Sequence, residues 1–465
     1  MAGQNRIAAL DALRGLAILL MVLSGMGPYG IMPAWMYHAQ LPPPEHNFNP
    51  GLPGLTWVDL VFPLFLFALG AAIPLAYNRR LENGENTRKL IWRTLERGFL
   101  LGSFAIFLQH IRPLTLNPVP DLWTWLQAVL GFLLLFLMYT RFPAEWKPWF
   151  CHVFRIGGWS AAIIYLILVR FPDGSGCSLN RSDIILVVLT NAAVFGGIIW
   201  IFTRERLMVR LGIMAILVAL RVSAPLDGWV KVIWDFTPVP WIYKFYYLQY
   251  LLIVLPGTIV GDILISWKNG TEEKNRSNSK MTWIGILLSI LVISNLVGLQ
   301  ARWVEMTFAF SMILLAIIYY VWRRDRIRSD DSMLILLRWT VFLLIIGFAF
   351  EPFEGGIKKD RSTLSYYFIS TGLSVSIFSA LTIWIDILKK QRWFDLLIVN
   401  GKNPMIAYVG FGNLVWPVLA ISGLDDMIRS VSEGPWSGFL RSILYTLLVA
   451  LMVKIFTHYK LFWRT

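Results

Sequence analysis

Residues 54–74 read GLTWVDLVFPLFLFALGAAIP. Beyond Asp59 the stretch carries no charge, and the segment 56–77 built on it reaches the roughly 20 mostly apolar residues that a helix needs to cross hydrocarbon, where each backbone N–H and C=O must find an internal partner. Segments of this kind recur near 9–28, 97–112, 121–140, 156–171, 183–203, 207–223, 244–267, 281–299, 303–322, 332–350, 363–388, 403–422 and 437–457. With 57% hydrophobic residues over 465 positions, the composition excludes a set of soluble domains. The expected fold is all-α, a polytopic transmembrane bundle of about 14 helices (range about 11–14). It forms a single transmembrane domain over 1–465, with the hydrophilic stretch 267–280 as a candidate cytoplasmic linker. The first segment is not expected to be a cleaved signal peptide, because Asp11 and Arg14 interrupt it and no small-residue cleavage pattern follows.

A net charge of +14 could point to nucleic acid, but its distribution points to a bilayer instead. The basic residues alternate along the connections: Arg79, Arg80, Arg88, Lys89, Arg93 and Arg97 follow the second segment, whereas residues 28–55 hold no Lys or Arg. Excess Lys and Arg mark cytoplasmic loops, which puts both termini inside and the 28–55 loop outside. Lys358, Lys359 and Arg361 are the exception, a basic group on an external loop. Cys151 and Cys177 fall on opposite sides and so are not expected to pair.

Ionisable residues within membrane segments are costly to bury, so they are candidate functional positions. Asp11 and Arg14, three apart on one helix face, read as an ion pair or as part of an anion site. Asp59 lies about one turn inside the second segment, and the loop before it carries His38 and His46. An imidazole titrates near neutrality and a carboxylate orients it; solvated histidines and a helix-capping Asp59 are the plainer reading. Asn400, Lys402 and Asn403 precede another segment, where a helix N-terminus favours anions; Asn-Gly and Asn-Pro are also ordinary turn signals.

Six blocks share an order with a known family. RIAALDALRGLAILLMVL (6–23) precedes a Tyr-His-Ala and then TWVDLVFP (56–63); WLQAVLGFLLLF (125–136), YLLIVLPGTIVGD (250–262), IKKDRSTLSYYF (357–368) and GKNPMIAYVG (401–410) follow. Together they resemble the transmembrane acetyltransferases typified by heparan-α-glucosaminide N-acetyltransferase. The resemblance implies an acyltransferase that takes acetyl from cytoplasmic acetyl-CoA and delivers it to an amino sugar or glycan on the other side. It also implies a catalytic histidine on the non-cytoplasmic side. His38, followed by Ala39 and preceded by aromatics, matches best; spacing to the Thr-x-x-Asp block favours His46. Two positions depart from the family, the MVLSGMG end of the first helix and Ala128 in place of an arginine, which bears on acceptor identity.

By the same resemblance Asp59 assists the histidine, and Arg14, Arg93, Arg97, Lys402 and Asn403 are the candidate acetyl-CoA contacts. Lys358 and Asp11 stand as substrate candidates, with no metal expected. The expected partners are a glycan acceptor and the lipid bilayer of an inner membrane, with no nucleic acid and a homodimer left open. The rival functions are a secondary transporter for a sugar or organic anion, to which the prolines of VFP and LPGT are suited, and O-acetylation of polysaccharide.

Overall fold

The computed structural model describes residues 7–27, 29–143, 145–269, 278–323 and 331–464. The expected linker at 267–280 falls mostly outside them. In chain order the principal helices are α1 (Ala8–Ser24), α2 (Trp57–Glu82), α3 (Thr87–Ile111), α4 (Leu122–Tyr139), α5 (Pro148–Leu168), α6 (Ile184–Thr203), α7 (Leu207–Ser223) and α8 (Leu251–Asn269). They continue as α9 (Asn278–Gln300), α10 (Val304–Arg323), α11 (Asp331–Phe350), α12 (Leu364–Thr382), α13 (Asp395–Lys402), α14 (Pro404–Gly410) and α15 (Pro435–His458).

Among the described residues, eleven helices are long and apolar enough to span a bilayer. The protein is an all-α, multi-pass integral membrane protein. Every apolar segment expected from the sequence falls on helix, but three fall short of a full span. α1 and α7 have 17 residues each, and α3 is diluted by Arg93, Glu96, Arg97, Gln109 and His110.

Contacts divide the chain into two units, one of Met1–Thr87, Ile199–Ala219 and Gln249–Gly401, the other of Arg88–Ile198, Leu220–Leu248 and Lys402–Thr465. In the first unit α2 and α8 touch backbone to backbone. A Cβ on Gly70 would lie 2.2 Å from the Val254 carbonyl oxygen, and one on Gly261 would lie 2.6 Å from that of Ala71. Small residues allow this approach where lipid removes the usual hydrophobic drive between helices.

α12 is buried along nearly all of its length although it is rich in hydroxyls. They bond back to the preceding turn, as in Thr371 to the Tyr367 carbonyl (2.6 Å), Ser374 to that of Ser370 (2.7 Å) and Thr382 to that of Phe378 (2.8 Å), so the polar atoms are satisfied within the helix. Tyr366, near its start, reaches the N-terminal end of α2. Beyond its other end the Asp386 carboxylate accepts from the Ala9 N–H of α1 at 3.3 Å. At 1.5 Å per residue the two points are about 30 Å apart, the thickness of a hydrocarbon core.

In the second unit Asp183 accepts from Arg112 (2.5 Å) and from the Tyr408 hydroxyl (3.0 Å). A two-residue antiparallel pairing joins Thr140–Arg141 to Phe462–Trp463.

Candidate active site

α2 begins at Trp57 with Asp59 in its first turn. The Asp59 Oδ2 accepts from the Thr56 N–H (3.1 Å), the Thr56 hydroxyl (3.0 Å) and the Ala39 N–H (3.1 Å). The carboxylate thus caps the helix and ties the preceding loop to it. Both sequence roles of Asp59 coincide in one side chain, because its other oxygen, Oδ1, lies 3.2 Å from His38 Nδ1.

Pro63 stands four residues after Asp59 and has no N–H to offer the Asp59 carbonyl. The Tyr366 hydroxyl supplies the missing donor at 3.0 Å. Tyr366→Phe therefore leaves a buried carbonyl unpaired and should destabilise by about 1–3 kcal/mol. In a Pro63→Ala background, which restores the helical N–H, the same change should cost markedly less; a double-mutant cycle on thermal stability reads the difference. Equal losses in both backgrounds would count against this role for Tyr366.

His38 sits between two carboxylates. Its Nε2 is 2.8 Å from Asp360 Oδ2, while Nδ1 faces Asp59 and also lies 3.0 Å from the Gln40 N–H. With a lone pair on Nδ1, Gln40 donates to the ring and Nε2–H donates to Asp360. With a hydrogen on Nδ1, the ring serves Asp59 Oδ1, which has no other hydrogen-bond partner among the described residues. One ring proton thus has a fully buried carboxylate on one side and a half-exposed one on the other, at 0% and 48% side-chain exposure. That is an arrangement for moving a proton.

Gln40 locks Asp360 in place. Its Oε1 accepts from the Asp360 N–H at 2.8 Å, and its Nε2 donates to the Asp360 carbonyl and to that of Pro50. Burial pushes the Asp360 carboxyl up, but the His38 hydrogen bond and the charges of Lys359 and His38 outweigh it and hold it below the usual carboxylate range. It is an anion at neutral pH. The two carboxylates address opposite ring nitrogens and do not converge on one point, and no group of three His, Cys, Asp or Glu suited to a metal ion occurs among the described residues.

His46 is placed differently. Its ring nitrogens lie 3.3 Å from the Leu41 carbonyl oxygen and 3.2 Å from that of Gly30, and its ring packs edge-on against Tyr37. Arg14 pairs with Asp11 at 3.2 Å on α1 in the first unit. Arg93, Arg97, Lys402 and Asn403 belong to the second unit. There Asn403 is fully buried, donating to the Leu461 carbonyl (2.8 Å) and accepting from the Trp463 N–H (3.1 Å), so both ends of its amide are engaged by the chain. Lys358 and Lys359 are half-buried beside Asp360, and Arg361 is exposed.

A family model described as a domain of unknown function, DUF5009, matches residues 6–264, more than half of the chain. The chain belongs to the DUF5009 family. This DUF5009 protein is also similar to heparan-alpha-glucosaminide N-acetyltransferase of Mus musculus, 36% identical over 97 residues, and of Homo sapiens, 34% identical over 104 residues. Those stretches cover 21% and 22% of the chain, and only 13% and 14% of the relatives' own length.

The residues that reading the DUF5009 sequence missed are Gln40, Asp360 and Tyr366. Asp360 lies 322 positions from its histidine, inside a turn dominated by the cations Lys358, Lys359 and Arg361. Pro63 was the available signal for Tyr366, since a proline in a membrane helix leaves a carbonyl to be paired.

Proposed function

We propose that the protein is a membrane-embedded acetyltransferase that takes acetyl from cytoplasmic acetyl-CoA and delivers it to the amine of an amino sugar or glycan on the other side. The observation that carries this is His38 held between Asp59 and Asp360, in a chain similar over a fifth of its length to a membrane N-acetyltransferase. The polar group of Asp11, Arg14 and Asp386 at the far end of α12 supports two chemically distinct faces. In this scheme the basic connections are cytoplasmic, and the CoA phosphates rest against cytoplasmic cations, of which Arg14 is the candidate in the unit that holds His38. The thioester reaches toward His38 while the nucleotide stays inside.

His38 acts as a base in a direct transfer, with Asp59 and Asp360 on either side of the ring to hold its protonated form. The acceptor nitrogen bonds to the thioester carbonyl carbon as one of its protons passes to His38. The C–S bond then breaks and the imidazolium returns that proton to the thiolate, which leaves as CoA thiol. Asp59 stabilises the imidazolium formed in between.

The test is transfer of labelled acetyl from acetyl-CoA to glucosamine by the purified protein. The expected product survives mild alkali, as an amide does; an alkali-labile product would favour O-acetylation. Sugar uptake by vesicles with no acetylated product would favour the transporter.

A further inference from the structure

The Asp360 carboxylate uses Oδ2 for His38, while Oδ1 has no hydrogen bond among the described residues and the side chain is 48% exposed. Gln40 clamps the backbone of Asp360 from both sides, so this free oxygen has a fixed position beside the imidazole. We propose that Asp360 is the acceptor-recognition residue, a carboxylate that selects a cationic amine by pairing its ammonium through Oδ1 while holding His38 through Oδ2. The proposal rests on the acetyl-transfer reading for its chemistry, but not for the binding it predicts.

A carboxylate bridging the ring and the ammonium brings the amine within reach of the base. The ammonium gives one proton to the His38–Asp360 pair, the freed nitrogen attacks the thioester, and the pair returns that proton to water through the half-exposed side of Asp360. An ammonium and acetyl-CoA become an acetamide, CoA thiol and one proton. A hydroxyl acceptor brings no positive charge and gains from this carboxylate a hydrogen bond without the ion pair. Lys358, Lys359 and Arg361 flank the site and disfavour polycations, which restricts the acceptor to an isolated amino group on a neutral or acidic molecule.

The experiment measures glucosamine binding by calorimetry in the absence of acetyl-CoA, then steady-state kinetics, for wild type, Asp360→Asn and Asp360→Glu. Loss of a charge-assisted bond predicts glucosamine affinity roughly 10- to 100-fold weaker in Asp360→Asn, with a matching rise in its KM. Glucose affinity and the KM for acetyl-CoA should stay within about twofold, and Asp360→Glu should recover most of the loss. Unchanged glucosamine affinity in Asp360→Asn overturns the proposal, as does a fall in kcat alone, which is what a purely positioning role would give. If wild type binds glucosamine in an Asp360-dependent way but transfers no acetyl group, the transfer reading fails and the recognition role stands.

Discussion

His38→Ala should lower acetyl transfer to glucosamine by about 10²–10⁴-fold, the range that a positioned general base contributes. His46→Ala should stay close to wild type, because both nitrogens of that ring face backbone carbonyls and, among the described residues, no carboxylate pairs with it. The drop in His38→Ala should appear in kcat, since the ring is only 11% exposed and contributes little acceptor surface. Asp59→Asn should fall between the two. It removes the anion that stabilises the protonated ring, and Oδ2 also receives the Ala39 and Thr56 N–H groups, so loop position shifts as well. Initial rates for the three variants at saturating acetyl-CoA decide this. A dead His46→Ala beside an active His38→Ala would reverse the assignment.

The second large effect concerns packing. α1 and α13 cross at two glycines, and a Cβ on Gly401 would lie 1.7 Å from the Asp11 carbonyl oxygen, while one on Gly15 would lie 1.8 Å from that of Leu397. No rotamer relieves a Cβ against backbone, so the helices must separate. Gly401→Val and Gly15→Val should reach or exceed the upper end of the roughly 1–3 kcal/mol that overpacking typically costs. Separation also pulls Asp11 and Arg14 away from the end of α12. Gly157 of α5 has nothing within 4 Å of its built Cβ, so Gly157→Ala should be neutral or slightly stabilising. Melting in detergent should therefore fall by about 5 °C or more for the two valine variants, and not for Gly157→Ala. Parallel melting of all three would mean that α1 and α13 do not meet as described.

The helices were legible because the bilayer imposes one rule on every span: enough apolar residues with all backbone bonds internal. TWVDLVFP carried both the start of α2 and its cap in adjacent residues, so Asp59 could be read locally. His38 and Asp59 are 21 residues apart, one on the loop that leads into α2 and the other in the first turn of that helix, which made their meeting a short-range inference. Asp360 reaches the same ring from the far side of the chain, and no local pattern encodes such a pairing. The two units were illegible for the same reason, since each is assembled from three separated stretches. Asn403 shows the converse. Its position before a helix fits an anion site, but only the fold reveals that Leu461 and Trp463 occupy its amide.

The most direct measurement uses sealed vesicles in which the purified protein is oriented with its His38 loop outward. They are loaded with acetyl-labelled CoA, and glucosamine is supplied outside only. Labelled amide should accumulate outside while CoA stays inside, and His38→Ala should abolish it. External product that requires CoA on the same side as the sugar, or no acetylated product at all, would contradict acetyl transfer across the membrane through His38.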